Sequence, residues 1–141
     1  MQTAALPSTF YRVTGKALIF DDQHRLLVVG KGDEWEMPGG GWEHDETFEE
    51  CMQREVQEEL GVVVSYISTP QFIYRGKSVH GWYAVRIVVT ASIENHAFVY
   101  GDGMTQAKFV ARDAFLALQF GSSEEGILDH VDQIWSTNST E

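Results

Sequence analysis

Residues 40–62, GGWEHDETFEECMQREVQEELGV, decide how the rest of the chain is read. Their second half, from about Thr47 to Leu60, predicts one helix. Glu, Gln, Met, Leu and Arg are good helix formers, and neither Gly nor Pro interrupts the run. Thr47 or Asp45 can cap its start, and Glu50, three residues after Thr47, completes a capping box. Gly61 ends it, because glycine takes the left-handed conformation that a C-cap wants. The aliphatic Val62-Val63-Val64 then begins a strand.

The acids of this helix fall in unusual places. At about 100° per residue, Phe48, Met52, Val56 and Leu60 define an apolar arc roughly 120° wide. Glu59 lies inside that arc, Glu55 about 20° beyond its edge, and Glu58 about 60° further round. Glu55–Glu58 and Glu55–Glu59 are like-charge neighbours, each pair costing about 0.2–0.5 kcal/mol even in water. Burial raises that cost steeply unless positive charge lies between the carboxylates. A hard divalent cation, which prefers oxygen ligands, is the simplest such charge. The competing reading is a solvated Glu-rich surface, with Arg54 an ordinary i,i+4 partner of Glu58.

Wider spacing separates the two. Gly40, Glu46, Arg54, Glu55, Val56, Glu58, Glu59, Gly61 and Val62 fill G-x5-E-x7-R-E-U-x-E-E-x-G-U without a gap, U being aliphatic. At average residue usage, a chance match is on the order of 10⁻⁹ per starting point. This pattern resembles the signature of the Nudix hydrolases. Upstream, Trp35-Glu36-Met37-Pro38-Gly39-Gly40 resembles the W-x-x-P-G-G entry to that signature, and a looser likeness in element order covers residues 13–120.

The resemblance implies an α/β fold, an α/β/α sandwich with a mixed β-sheet flanked by helices. It also implies a hydrolase using Mg²⁺ or Mn²⁺, in which water attacks one phosphorus of the pyrophosphate bond of a nucleoside di- or triphosphate derivative. By matched position, Glu55, Glu58 and Glu59 hold metal, and the Gly40 carbonyl completes the coordination. Glu55 or Glu58 orients or deprotonates the water, Arg54 fixes a glutamate rotamer, and Glu46 ties the loop to the helix. Several relatives place the base on a later loop. The acids available there are Glu94, Asp102, Glu124 and Glu125, of which Asp102, in Gly101-Asp102-Gly103, joins the metal-site set. The glutamate that many relatives carry near this point is missing, which leaves the base open.

Substrate choice is less legible. Trp35, Tyr74, His80 and Trp82 can stack a nucleobase, although strand aromatics are usually core. Arg75 and Lys77 can meet phosphates or stand as surface cations. Trp35, Arg75 and Trp82 are the substrate-binding candidates. The proline and tyrosine marking ADP-ribose and dinucleoside-polyphosphate members are not at the family's distances, and Pro70 falls too early. Two alternatives remain: a Nudix-fold module that senses a nucleotide without turnover, and an acidic interaction protein. The intact Arg54, Glu55, Glu58 and Glu59 speak against the sensor.

Composition narrows the partners. A chain of 141 residues with 43% hydrophobic content reads as one domain, 1–141, its first ten residues a loose arm. The net charge of −11, with ten Lys and Arg against 21 acids, excludes a general nucleic-acid binder and favours a small phosphate ligand bridged by metal. No apolar run approaches the ~20 residues of a membrane span. The N-terminal stretch lacks the pattern of a signal peptide, and Cys51 has no second cysteine to pair with. Cytoplasm is the expected compartment, no membrane partner is implied, and a homodimer is compatible with all of this. The Asn138-Ser139-Thr140 sequon reads as incidental. No Ser-His-Asp, Cys-His or zinc-finger spacing is evident.

Elsewhere, strands are expected at 11–20 and 25–30, paired as a hairpin around the turn Asp21-Asp22-Gln23-His24. Residues 35–37 are a short extended piece, and Gly39-Gly40-Gly41 reads either as a flexible turn or as a close backbone approach to a ligand, which glycine permits by lacking a Cβ. Strands follow at 62–67, 71–75 and 82–93, the last central to the sheet. A loop fills 94–105, and a short strand 106–111. A short helix is read at 112–118 and a longer one at 122–135, capped by Ser122 or Ser123, with Ile127, Leu128, Val131, Ile134 and Trp135 as its apolar face.

Overall fold

The computed structural model of the chain describes residues 5–77 and 80–137, so the sequon and the first four residues of the arm lie outside it. Helix α1, Phe48–Leu60, starts on the predicted capping box. The Thr47 hydroxyl accepts the Glu50 amide at 3.1 Å, and the Glu50 carboxylate accepts the Thr47 amide at 2.9 Å. Gly61 closes the helix with φ 66, its amide on the Gln57 carbonyl at 2.9 Å. The buried face carries Met52, Val56 and Leu60 together with Glu55 and Glu59, as the wheel requires.

The strands are β1 (Arg12–Leu18), β2 (Leu26–Lys31), β3 (Glu34–Glu36), β4 (Gly39–Gly41), β5 (Val64–Ile67), β6 (Phe72–Lys77), β7 (Tyr83–Ile93) and β8 (Gln106–Val110). β7 is the central strand, long and rich in β-branched residues. β1 runs parallel to it from Arg12↔Ala84 to Leu18↔Thr90. Its other edge pairs antiparallel with β6 along the first half and with β5 along the second. β4 pairs antiparallel with β1, completing a mixed five-stranded sheet. β3, β2 and β8 form a second, antiparallel sheet.

The expected β1–β2 hairpin is confined to its tip. Asp21 builds the turn, its carboxylate accepting the amides of Gln23 and Arg25, and His24 takes φ 59. Beyond a bridge between Phe20 and Leu26 and the Leu27 amide on Ile19 at 2.8 Å, β2 leaves for β3 and β8. It has to, because β7 and β4 already occupy both edges of β1. Gly39-Gly40-Gly41 is likewise a strand, not a turn. Gly39 has φ 144, and a Cβ there would stand 2.0 Å from the Gly15 carbonyl oxygen.

Period-2 alternation divides the buried side chains between two cores. Ala17, Ile19, Leu27, Val29 and Val89 face the α1 side, with Met52, Val56 and Leu60. Leu18, Leu26, Val28 and Val88 face the other, with Phe115, Ile127, Val131 and Ile134. That second face is covered by α2 (Arg112–Leu116), a 3₁₀ segment (Ser122–His130) and α3 (Val131–Ser136). The layers therefore give the α/β/α sandwich. The longer C-terminal helix is broken in two, and Gly121 holds its cap position in place of Ser122 or Ser123. Gly126 lies against β6 so closely that a Cβ would sit 2.8 Å from the Arg75 carbonyl oxygen. Among the described residues, no helix is long and apolar enough to cross a membrane.

Candidate active site

Carboxylate oxygens of Glu55, Glu58 and Asp102 lie within 4.8 Å of one another. The first two come from α1, and the third from the loop before β8. That loop is docked on the end of the helix, whose last carbonyls have no intrahelical partner. The Val99 amide meets the Leu60 carbonyl at 2.9 Å, and the Gly101 amide meets that of Glu59 at 3.1 Å. Gly101 passes so near that a Cβ would stand 2.3 Å from the Glu58 carbonyl oxygen. Asp102 follows in the left-handed conformation, φ 53, which a short polar side chain tolerates.

Arg54 organises the acids. Its Nε and Nη2 grip Glu46 at 3.0 and 2.7 Å, a bidentate fork. Nη1 donates to Glu55 at 2.9 Å and to both Glu58 oxygens at 3.4 Å, while Nη2 also reaches the Gly41 carbonyl at 2.9 Å. Glu46 additionally accepts the Glu43 amide. The Arg54 fork, with that amide, holds the Glu46 carboxyl down at about 2. Burial pushes Glu55 above the ordinary carboxylate range, against the pull of Arg54.

Glu59 stands apart from the trio. It is 1% exposed, and its Oε1 accepts the Gly39 amide at 2.8 Å. Burial pushes its pKa up to about 8, opposed by Lys16 and by that amide. Gly40 lies beside Glu55, where a Cβ would be 2.5 Å from the carboxylate. The Cys51 thiol is pushed up to about 12, first by burial and then by Glu46, so it stays neutral.

The other sequence candidates scatter. Arg75 and Trp82 line one cleft of about 400 Å³. Arg75 and Lys77 both lie over the Tyr83 ring, at 5.2 and 5.4 Å, and the rings of His80 and Trp82 are 5.8 Å apart. Trp35 packs against the second core with Lys108 Nζ 4.5 Å from its ring centre. Tyr74 is core, its hydroxyl donating to Glu124 at 2.7 Å. Glu94 is exposed and outside the trio, and the Glu125 side chain lies outside the described residues.

A buried charge network near Glu59 was not foreseen. Lys16 Nζ lies 3.3 Å from Glu124 and 3.7 Å from Glu36, and donates to the Met37 carbonyl at 3.1 Å. Arg86 Nε stands 3.6 Å from the same Glu124 oxygen, and its Nη1 donates to Thr14 at 3.0 Å. Burial alone would lower the Lys16 pKa, but Glu124, Glu36 and Glu59 together hold it above its ordinary value. The available signal was a cation inside each apolar strand run, Lys16 in RVTGKAL and Arg86 in YAVRIVV. A charge at such a position needs a buried partner.

Comparison with known proteins bears on the fold and the family. Over 48 residues, 32% of this chain, the sequence is 44% identical to an RNA pyrophosphohydrolase of Saccharophagus degradans, and the match spans 28% of that protein's length. Among solved structures, a MutT protein from Methanosarcina mazei Go1 superposes with a TM-score of 0.77 at 17% identity, covering 96% of this chain and 100% of that one. An ADP-ribose pyrophosphatase from Streptococcus suis 89-1591 superposes with a TM-score of 0.71 at 17% identity, covering 94% and 95%. Both likenesses concern the fold. The NUDIX domain model matches residues 11–131, nearly the whole chain, and the chain belongs to the NUDIX family.

Proposed function

We propose that the chain is a divalent-cation-dependent hydrolase that cleaves the pyrophosphate bond of a nucleoside di- or triphosphate derivative by water attack on phosphorus. The reading is carried by the convergence of the Glu55, Glu58 and Asp102 oxygens within 4.8 Å. Carboxylates so close repel in the absence of positive charge, and an all-oxygen set suits Mg²⁺ or Mn²⁺. Glu55, Glu58 and Asp102 would hold the ion, with Glu59 and the Gly40 carbonyl on the buried side. A bound cation supplies charge neutralisation for the pyrophosphate and a more acidic water.

The protein's own part is positioning. Arg54 keeps Glu55 and Glu58 turned toward each other through one nitrogen, while Glu46 fixes its other two. Glu58, the more exposed of the pair, is the carboxylate that orients or deprotonates the attacking water. Arg75 and Trp82 serve the rest of the substrate, whereas Trp35 packs against the second core, outside their cleft. The RNA pyrophosphohydrolase and the ADP-ribose pyrophosphatase are compatible with this reaction class. The acidic balance favours a small nucleotide over a polymer. A cytoplasmic location and a homodimer are both compatible with this reading.

The deciding experiment is a hydrolysis screen over nucleoside triphosphates, ADP-ribose, dinucleoside polyphosphates and nucleotide sugars with Mg²⁺ or Mn²⁺. Turnover should vanish with EDTA. Glu58→Gln should lose on the order of 10²–10⁴ in kcat with an unchanged melting temperature. Full activity in that variant, or indifference to EDTA, defeats the reading. Nucleotide binding without product would point to a sensor.

A further inference from the structure

We propose that an aromatic cleft between the N-terminal arm and Trp82 receives the nucleobase end of the substrate, making the arm part of the binding site. The cleft encloses about 490 Å³, with Phe10, Tyr11, Trp42 and Trp82 among its walls and Arg12 and Glu46 among its polar groups. That volume lies within the range of small-molecule sites. This inference rests on the hydrolase reading for the other end of the ligand.

Three of those aromatics stand open to water, Phe10 at 51%, Tyr11 at 41% and Trp82 at 56%. Large apolar rings gathered around one concavity mark a binding surface more often than accident does. The fourth wall is rigid. The Trp42 indole N–H donates to the Glu46 carbonyl at 2.9 Å, and its ring stands edge-on to Phe48 at 5.3 Å. Tyr11 is anchored edge-on against Tyr83 on β7, ring centres 6.4 Å apart. Tyr11, which joins the arm to β1, is therefore held against the central strand.

Position identifies the occupant. Glu46 lines the cleft and is also the residue that Arg54 grips, while Arg54 Nη1 touches Glu55 and Glu58. One guanidinium therefore separates the cleft from the acids. A nucleotide whose pyrophosphate is held at the acids would set its nucleoside beside Glu46, next to the aromatic walls of the cleft. Aromatic faces accept any base by stacking. The polar side of the cleft carries Glu46 as well as Arg12, and the chain is strongly acidic, which disfavours a polyanion. A single nucleoside fits these conditions.

The test compares full-length wild type with Trp82→Ala, Trp82→Phe and Phe10→Ala. The first readout is the ratio of kcat/KM for a nucleoside triphosphate to that for inorganic tripolyphosphate, which has no base. Trp82→Ala and Phe10→Ala should each lower this ratio about tenfold, as expected for loss of one base–aromatic stack. Trp82→Phe should largely restore it. The second readout is ADP affinity by calorimetry, which should weaken by a similar factor in both alanine variants. An unchanged ratio with unchanged ADP affinity overturns the proposal. If wild type hydrolyses neither compound, the hydrolase reading is judged by the wider substrate screen, and the cleft on ADP alone. Weaker binding in Trp82→Ala then supports it, and equal or absent binding overturns it.

Discussion

The Lys16 ammonium lies 3.3 Å from the Glu124 carboxylate, and both side chains are buried. Glu124 also serves Arg86 and the Tyr74 hydroxyl, so one acid from the 3₁₀ segment joins β1, β6 and β7. Among the described residues, no buried side-chain nitrogen or oxygen lacks a partner. Replacing Glu124 by Gln leaves two buried cations sharing a neutral group. Breaking a buried pair in this way costs about 3–5 kcal/mol. Urea titration should show the midpoint of Glu124→Gln falling at constant slope, and a loss below about 1 kcal/mol would show that the network is not fully desolvated.

Gly40→Ala should spare the fold and damage the site. The nearest atoms to its Cβ would be those of the Glu55 carboxylate, the far end of a flexible side chain, at 2.5 Å. That carboxylate can swing away cheaply, but then leaves Glu58 and Asp102. Metal affinity, read by Mn²⁺ titration, should fall about 10–100-fold, while the melting temperature of metal-free protein barely moves.

Gly101→Ala should behave differently. Its Cβ would meet the backbone oxygen of Glu58 at 2.3 Å, which cannot turn aside. The loop has to lift from the end of α1 and carry Asp102 with it. Overpacking of this kind costs about 1–3 kcal/mol. Calorimetric melting should show that loss together with weaker Mn²⁺ binding. Normal stability with normal binding would mean the loop is not docked as described.

Stability should depend on pH through Glu59. Its carboxyl rises from the ordinary 4.5 to about 8 in the folded protein because it is buried. Between those values the folded state binds more protons than the unfolded state, so stability falls as pH rises. The penalty is absent below about 4.5 and complete above about 8. Glu55 is shifted in the same direction. Glu46, held at about 2 against an ordinary 4.5, adds a slope of the opposite sign only near and below 4.5, and almost none between about pH 5.5 and 8. Metal-free protein should therefore melt at a lower temperature at pH 8 than at pH 5.5. A rise instead would show that Glu59 is ionised in the fold without help.

Much of the site was legible because it is local. The capping box, the Gly61 stop and the burial of Glu55 and Glu59 follow from contacts three and four residues apart on one helix. The substrate residues were harder, because an aromatic on a strand reads alike as core or as binding surface. Tyr74 proved to be core and Trp82 exposed. Tyr11, read as the first residue of a strand, stands just before β1 and is braced on Tyr83 across the chain.

By itself, the sequence determined the helix, its caps, the placing of its acids and the family, since each is written in the spacing of neighbouring residues. The family likeness names Asp102 as a candidate, and the fold brings it to Glu55 and Glu58. Tertiary structure alone decided that Lys16, Arg86 and Glu124 share one buried network and that Phe10 and Tyr11 line one cleft with Trp82. The reason is physical. Those partners lie tens of residues apart, and the parallel pairing of β1 with β7, the packing of the 3₁₀ segment on β6 and the docking of a loop on the end of α1 bring them together.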